Sequence, residues 1–172
     1  NTSLSDVSEF IHFGLTSDDV NNLTIRLLLK NALSEVIMRT VEALNDEILN
    51  QSKKYKDLSM LARTHGQGAI PTTLGKEFLV YYERLNKEIN ILKTYKFSGK
   101  LNGAVGNYNA LYFAYPNIDW KDFSKNFISS FGLEANLVTT QIAPYEDIIY
   151  FFQTLERING IALDFNQDMW RY

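Results

Sequence analysis

Cysteine is absent from this 172-residue chain, which rules out disulfides, thiolate nucleophiles and cysteine-ligated metal sites. Histidine is nearly as scarce, with His12 and His65 the only two. Prolines number three, and neither glycine nor proline falls between Leu15 and His65, so nothing there forbids a continuous helix. Long hydrophobic runs are missing too. None approaches the roughly 18 residues that a membrane span requires, and no signal-peptide pattern is read at the start, so no membrane association is expected. Neither sign of charge dominates: 17 basic residues face 20 acidic ones, a net of −3, and no basic run exceeds Lys53-Lys54. Proteins that track phosphates concentrate Lys and Arg on one face, so nucleic acid is not an expected partner. The cysteine-free composition fits a cytoplasmic protein. Because the chain opens on Asn1 and runs out inside a helical pattern, we expect it to be a piece of a longer one.

What the chain does have is helical periodicity. Leu33, Ile37, Val41, Leu44 and Ile48 recur on one helical face. They predict a helix from Asp18 to about Lys56, on the order of 60 Å long at about 1.5 Å per residue. Thr16 or Ser17 suits its N-cap, and Asp18 and Asp19 suit the positive end of its dipole. A second run follows Pro71, through Leu74, Phe78, Tyr81, Leu85, Ile89 and Leu92. A shorter helix is predicted from Trp120 to Phe131, stopped by Gly132. The last run alternates spacings of three and four from Ile148 through Phe151, Leu155, Ile158, Ala162 and Phe165 to Met169, a coiled-coil-like seam. Gly160 would let a neighbouring helix come close there. Only Leu137 to Ile142 hints at a strand. The chain therefore reads as all-α, a long-helix bundle forming one helical domain over residues 1–172. Three long amphipathic helices cannot bury such wide stripes against one another alone, so further copies or segments are expected to complete the bundle.

Four segments do not fit a plain bundle. They are GLTSDDVNNL (Gly14 to Leu23), LARTHGQGAIPTTLGKE (Leu61 to Glu77), KLNGAVGNYNALYFAYPNIDW (Lys100 to Trp120) and TTQIAP (Thr139 to Pro144). His65 sits between a hydroxyl and a glycine, on a loop that opens the second long helix. There it can reach a ligand and carry a proton near neutral pH. Thr16 and Ser17, on the residues alone, read as caps. NGAVGNYN lacks the spacings of a nucleotide-binding loop; Gly103 and Gly106 instead permit close backbone approach, and Asn102 reads as structural. His12 reads as a satisfied structural histidine, and the abundant Phe and Tyr as core. No His, Asp and Glu cluster has metal-ligand spacing.

Together the four segments closely resemble the adenylosuccinate lyases of the fumarase and aspartase superfamily, over about Val7 to Tyr172. THGQ and TSDD are of superfamily type, whereas NGAVGNYNA and TTQI narrow the resemblance to that branch. The resemblance implies β-elimination of fumarate from adenylosuccinate to give AMP, and from succinylaminoimidazole carboxamide ribotide, in purine biosynthesis. It implies His65 as the general acid to the departing nitrogen. It also implies Thr16, Ser17 and Gln141 as substrate-binding side chains, with Thr64, the neighbour of His65, a weaker candidate; contact of Lys100 or Asn102 with substrate stays open. Neither metal nor cofactor is implied. Family members are homotetramers whose sites are shared between subunits. Two departures stand out. Gly68 occupies the position where relatives usually carry proline, and the serine-rich loop bearing the family's catalytic base occurs nowhere in the sequence. The isolated chain is accordingly expected to be inactive. Two other readings remain open: a different fumarate-releasing lyase, of argininosuccinate lyase or fumarase type, or a non-catalytic helical assembly module.

Overall fold

Helical conformation runs unbroken from Ser17 to Lys54, within two residues of the span that the lack of glycine and proline predicts. It comprises α1 (Ser17–Ala32), a π-helical turn (Leu33–Ile37) and α2 (Met38–Lys54). These come from a computed structural model that describes residues 4–172. There follow a hairpin of β1 (Ser59–Thr64) and β2 (Gln67–Thr73), α3 (Leu74–Lys93), β3 (Ser98–Gly99), α4 (Asn109–Ala114), α5 (Trp120–Ser130), β4 (Glu134–Ala135) and α6 (Glu146–Arg171). The all-α class stands, and the helix limits fall close to those read from periodicity. The strands do not. Leu137 to Ile142 is irregular, and the one substantial pair of strands lies at 59–73.

Where the sequence reading drew one helical domain, the chain divides into two compact units. One holds Asn1–Asn31 and Lys96–Ile149; the other holds Ala32–Tyr95 and Tyr150–Tyr172.

In the second unit, α2, α3 and most of α6 pack as helices. Leu85, Ile89 and Leu92 of α3, with Phe151 and Ile158 of α6, are almost wholly buried. The seam from Ile148 to Met169 is buried or half-buried throughout, as its spacing predicts. Tyr81 donates a hydrogen bond to Asp168 of α6; burial, and then that carboxylate, push its phenol well above the usual range. Arg84 pairs with Asp164 at 2.7 Å and Arg157 with Glu88 at 2.9 Å. Exposed pairs of this kind contribute about 1 kcal/mol at most, so the apolar faces dominate. One inward position differs from expectation. Leu44 is 41% exposed while Asn45 is buried, because 41, 45, 48 and 52 is as good a helical spacing as the apolar one.

Close helix approach occurs at Gly75 rather than at Gly160. A Cβ at Gly75 would collide with the Ser52 carbonyl and meet the Lys56 backbone at 2.6 Å, while one at Gly160 meets no described atom within 4 Å. Gly75→Ala is therefore expected to destabilise by about 1–3 kcal/mol through overpacking. Gly160→Ala, in a helix interior, should be neutral or stabilising by up to about 1 kcal/mol. Urea midpoints of the two variants would show the contrast, and equal midpoints would refute it.

In the first unit, α1 and α5 enclose Leu23, Leu101, Leu111, Trp120 and Ile128. Asp119 caps α5 by accepting from the Lys121 and Asp122 N–H groups. An open apolar cavity of about 470 Å³ lies beside this core, lined by Phe10, Phe13, Leu27, Phe123 and Phe127 among others. The aromatics are thus less buried than expected: Phe123 is 49% and Phe113 92% exposed. His12 also departs from the sequence reading. It is exposed, at the end of a 3₁₀ segment (Ser5–His12). Among the described residues, no helix is long and apolar enough to cross a membrane.

Candidate active site

Thr16 immediately precedes α1, and its backbone N–H donates to Asp19 Oδ2 at 2.9 Å. That is half of a capping box, the third helical residue reaching back to the cap. The other half is not formed. The Asp19 N–H turns to the Thr16 carbonyl at 3.0 Å, and the Thr16 hydroxyl instead accepts from Gln141 Nε2 at 3.3 Å. Two candidates 125 positions apart therefore meet. Gln141 and Ser17 are exposed, while Thr16 is only 8% exposed.

Beneath them lies a buried polar framework that sequence reasoning missed. Asp19 is fully buried and accepts from Lys100 Nζ at 3.1 Å, the Asn102 N–H at 3.0 Å and the Gly103 N–H at 3.2 Å. Lys100, equally buried, also donates to the Gly103 carbonyl. One turn further on, the Asn22 amide pairs with the Lys100 backbone in both directions, at 2.9 and 3.0 Å. Arg26, 1% exposed, grips Asp147 through two nitrogens at 2.9 Å each. Asp18 accepts from the Ala143 N–H at 2.8 Å. A visible signal did exist. Asp19, Asn22 and Arg26 recur at spacings of three and four, a polar stripe with the period of a core face.

Two residues of the NGAVG region are part of this framework. Lys100 and Asn102 are completely buried; Lys100 is held by Asp19 and the Gly103 carbonyl, while the Asn102 side-chain oxygen has no hydrogen-bond partner among the described residues. Asn102 Nδ2 donates to Thr139 Oγ1 at 2.8 Å, tying the NGAVG segment to TTQI. Gly106 permits that approach, as expected. Its φ is +74°, and a Cβ there would strike the Thr139 carbonyl.

His65 belongs to the other unit, with Thr64, on the exposed tip of the hairpin. His65 and Gly66 form a two-residue turn with φ of +54° and +74°, between the paired Thr64 and Gln67. Positive φ at both central positions is the type I′ turn that matches strand twist. The non-helical loop read from the sequence is thus a hairpin. Pro71 is tolerated because a two-stranded ribbon leaves each strand a free edge. Thr73 then caps α3 by accepting from the Lys76 N–H at 3.3 Å. At Gly68, a Cβ would lie 2.8 Å from Leu61 Cδ2. Among the described residues, no group of three His, Asp or Glu side chains could hold a metal ion.

Residues 2–172 match the family described as Lyase. This chain belongs to that lyase family. The adenylosuccinate lyase of Haemophilus influenzae is 48% identical over 169 residues, 98% of this chain and 37% of its own length. That of Escherichia coli K12 is 46% identical over the same shares. The resemblance to adenylosuccinate lyases drawn from the four segments is thereby borne out. The chain spans about 37% of the length of these curated relatives. Among solved structures, the beta-carboxy-cis,cis-muconate cycloisomerase of Acinetobacter calcoaceticus aligns with a TM-score of 0.82 at 22% identity. The alignment covers 95% of this chain and 37% of that one. At that identity the likeness shows the fold alone.

Proposed function

We propose that this chain is the central helical part of an adenylosuccinate lyase, releasing fumarate from adenylosuccinate to give AMP. The same site would act on succinylaminoimidazole carboxamide ribotide, within purine biosynthesis. The hydrogen bond between Thr16 and Gln141 carries the reading, because it gathers two candidate substrate ligands from distant segments. Identity of 48% with an adenylosuccinate lyase supports it.

In this reading a base outside the residues assigned here removes the proton beside one succinyl carboxylate. The electron pair is held as an aci-carboxylate, then expels the nitrogen as the C–N bond breaks. Thr16 and Ser17 donate to the carboxylate as its charge grows, Gln141 offers amide donors to the same substrate, and His65 protonates the departing nitrogen. Neither metal nor cofactor enters these steps. Residues 1–172 would form part of one central domain in a cytoplasmic homotetramer with sites shared between subunits. The exposed Phe152, Leu163 and Trp170 of α6, at 51%, 64% and 91%, support such association, since isolated apolar area costs roughly 25 cal/mol per Å².

Fumarate release from adenylosuccinate by the complete protein tests the reading. Thr16→Ala and Ser17→Ala should lower kcat/KM by more than they raise KM, the mark of transition-state contact. Unchanged kinetics in both variants would end the assignment of the pair as substrate ligands. Release from argininosuccinate instead would reassign the substrate.

A further inference from the structure

Asp19 is the point where the candidate ligands are joined. Its carboxylate is fully buried and charge-balanced by an equally buried Lys100 at 3.1 Å. From there the contacts close a ring. Asp19 holds the Thr16 N–H, and Thr16 Oγ1 accepts from Gln141. Two residues before Gln141, Thr139 accepts from the Asn102 side chain, whose backbone N–H returns to Asp19.

On the lyase reading above, we propose that Asp19 is a positioning residue: its carboxylate, held by Lys100, locks Thr16 and the Gln141 segment into one rigid frame. A direct role is excluded by burial, since Asp19 exposes no surface to a ligand. The frame also has a directional consequence. With the Gln141 amide donating to Thr16 Oγ1, the hydroxyl keeps its own proton available for an acceptor. Because the Asp19 N–H is taken by the Thr16 carbonyl at 3.0 Å, the hydroxyl is spared the local capping duty. The charge matters as well as the shape. Asparagine in place of Asp19 would present N–H donors to some of the three backbone N–H groups that now point at two carboxylate oxygens.

Two variants of the complete protein separate positioning from mere stability. Asp19→Asn leaves Lys100 buried without its counter-charge and should lower Tm by several degrees, or prevent folding. Asp19→Asn combined with Lys100→Met removes both charges and should regain most of that Tm, because an apolar replacement of a buried pair is commonly tolerated. Misplacement of a ligating group by about 1 Å can cost on the order of 100-fold in rate. The double variant should therefore still show kcat/KM for adenylosuccinate reduced by about 10- to 100-fold, chiefly in kcat. A stable double variant with parental kcat/KM would overturn the positioning role. A double variant that stays as unstable as the single one would overturn it too, by showing that the carboxylate serves the fold alone. Failure of the unmodified protein to release fumarate from adenylosuccinate is a separate result, overturning the lyase reading itself.

Discussion

Replacing His65 by Asn in the complete protein is expected to reduce fumarate release by about 10²–10⁴-fold, the usual contribution of a general acid. Asparagine is the right substitute for a structural reason. His65 has φ of +54° in a two-residue turn, where Asn followed by Gly is the favoured pair. Alanine there would add about 1–2 kcal/mol of backbone strain and blur the result. The side chain stands exposed at the hairpin tip, so its loss removes no core contact. Far-UV circular dichroism and Tm should match the parent while turnover falls. Near-parental turnover with the natural substrate would end the assignment of His65 as the acid.

Replacing Arg26 by Met is expected to destabilise the protein by about 3–5 kcal/mol, the cost of leaving one partner of a buried pair uncompensated. Arg26 is 1% exposed and donates both to Asp147, at two distances of 2.9 Å, and to the Pro144 carbonyl at 2.5 Å. Asp147 would then keep the Ser98 N–H, at 3.0 Å, but lose its counter-charge. Lysine is no conservative replacement, since a point charge cannot reproduce the planar fork. Arg26→Lys should recover only part of that lost stability in a urea melt. A midpoint unchanged in Arg26→Met would show the pair to be dispensable.

The helices were legible because their apolar residues repeat with the period of the fold. Phe151 and Ile158 are buried where the spacing put them, and α5 begins at Trp120 as its cap Asp119 requires. The hairpin was not legible. Ser59 to Thr73 pairs with only itself and stays largely exposed, so no alternation of inside and outside is written into it. His65 nonetheless stood out by residue type, and Gln141 by resemblance alone. The framework under the site escaped notice for the opposite reason. Asp19 and Arg26 look like surface charges until Lys100 and Asp147 stand opposite them, and nothing local in a sequence announces a partner so far away. By position Asp18 and Asp19 suit the helix dipole; in the fold they also hold the loops.

That separation also bears on synthesis. Asp147 lies 121 residues beyond Arg26, so at about 5–20 residues per second the arginine waits roughly 6–24 s on the ribosome for its partner. Lys100, the counter-charge of Asp19, emerges earlier in the same interval. Until both arrive, burying the polar stripe of α1 would strand charges in an apolar interior, so that face must remain hydrated. The first unit is thereby barred from closing around the nascent chain before Asp147 has emerged.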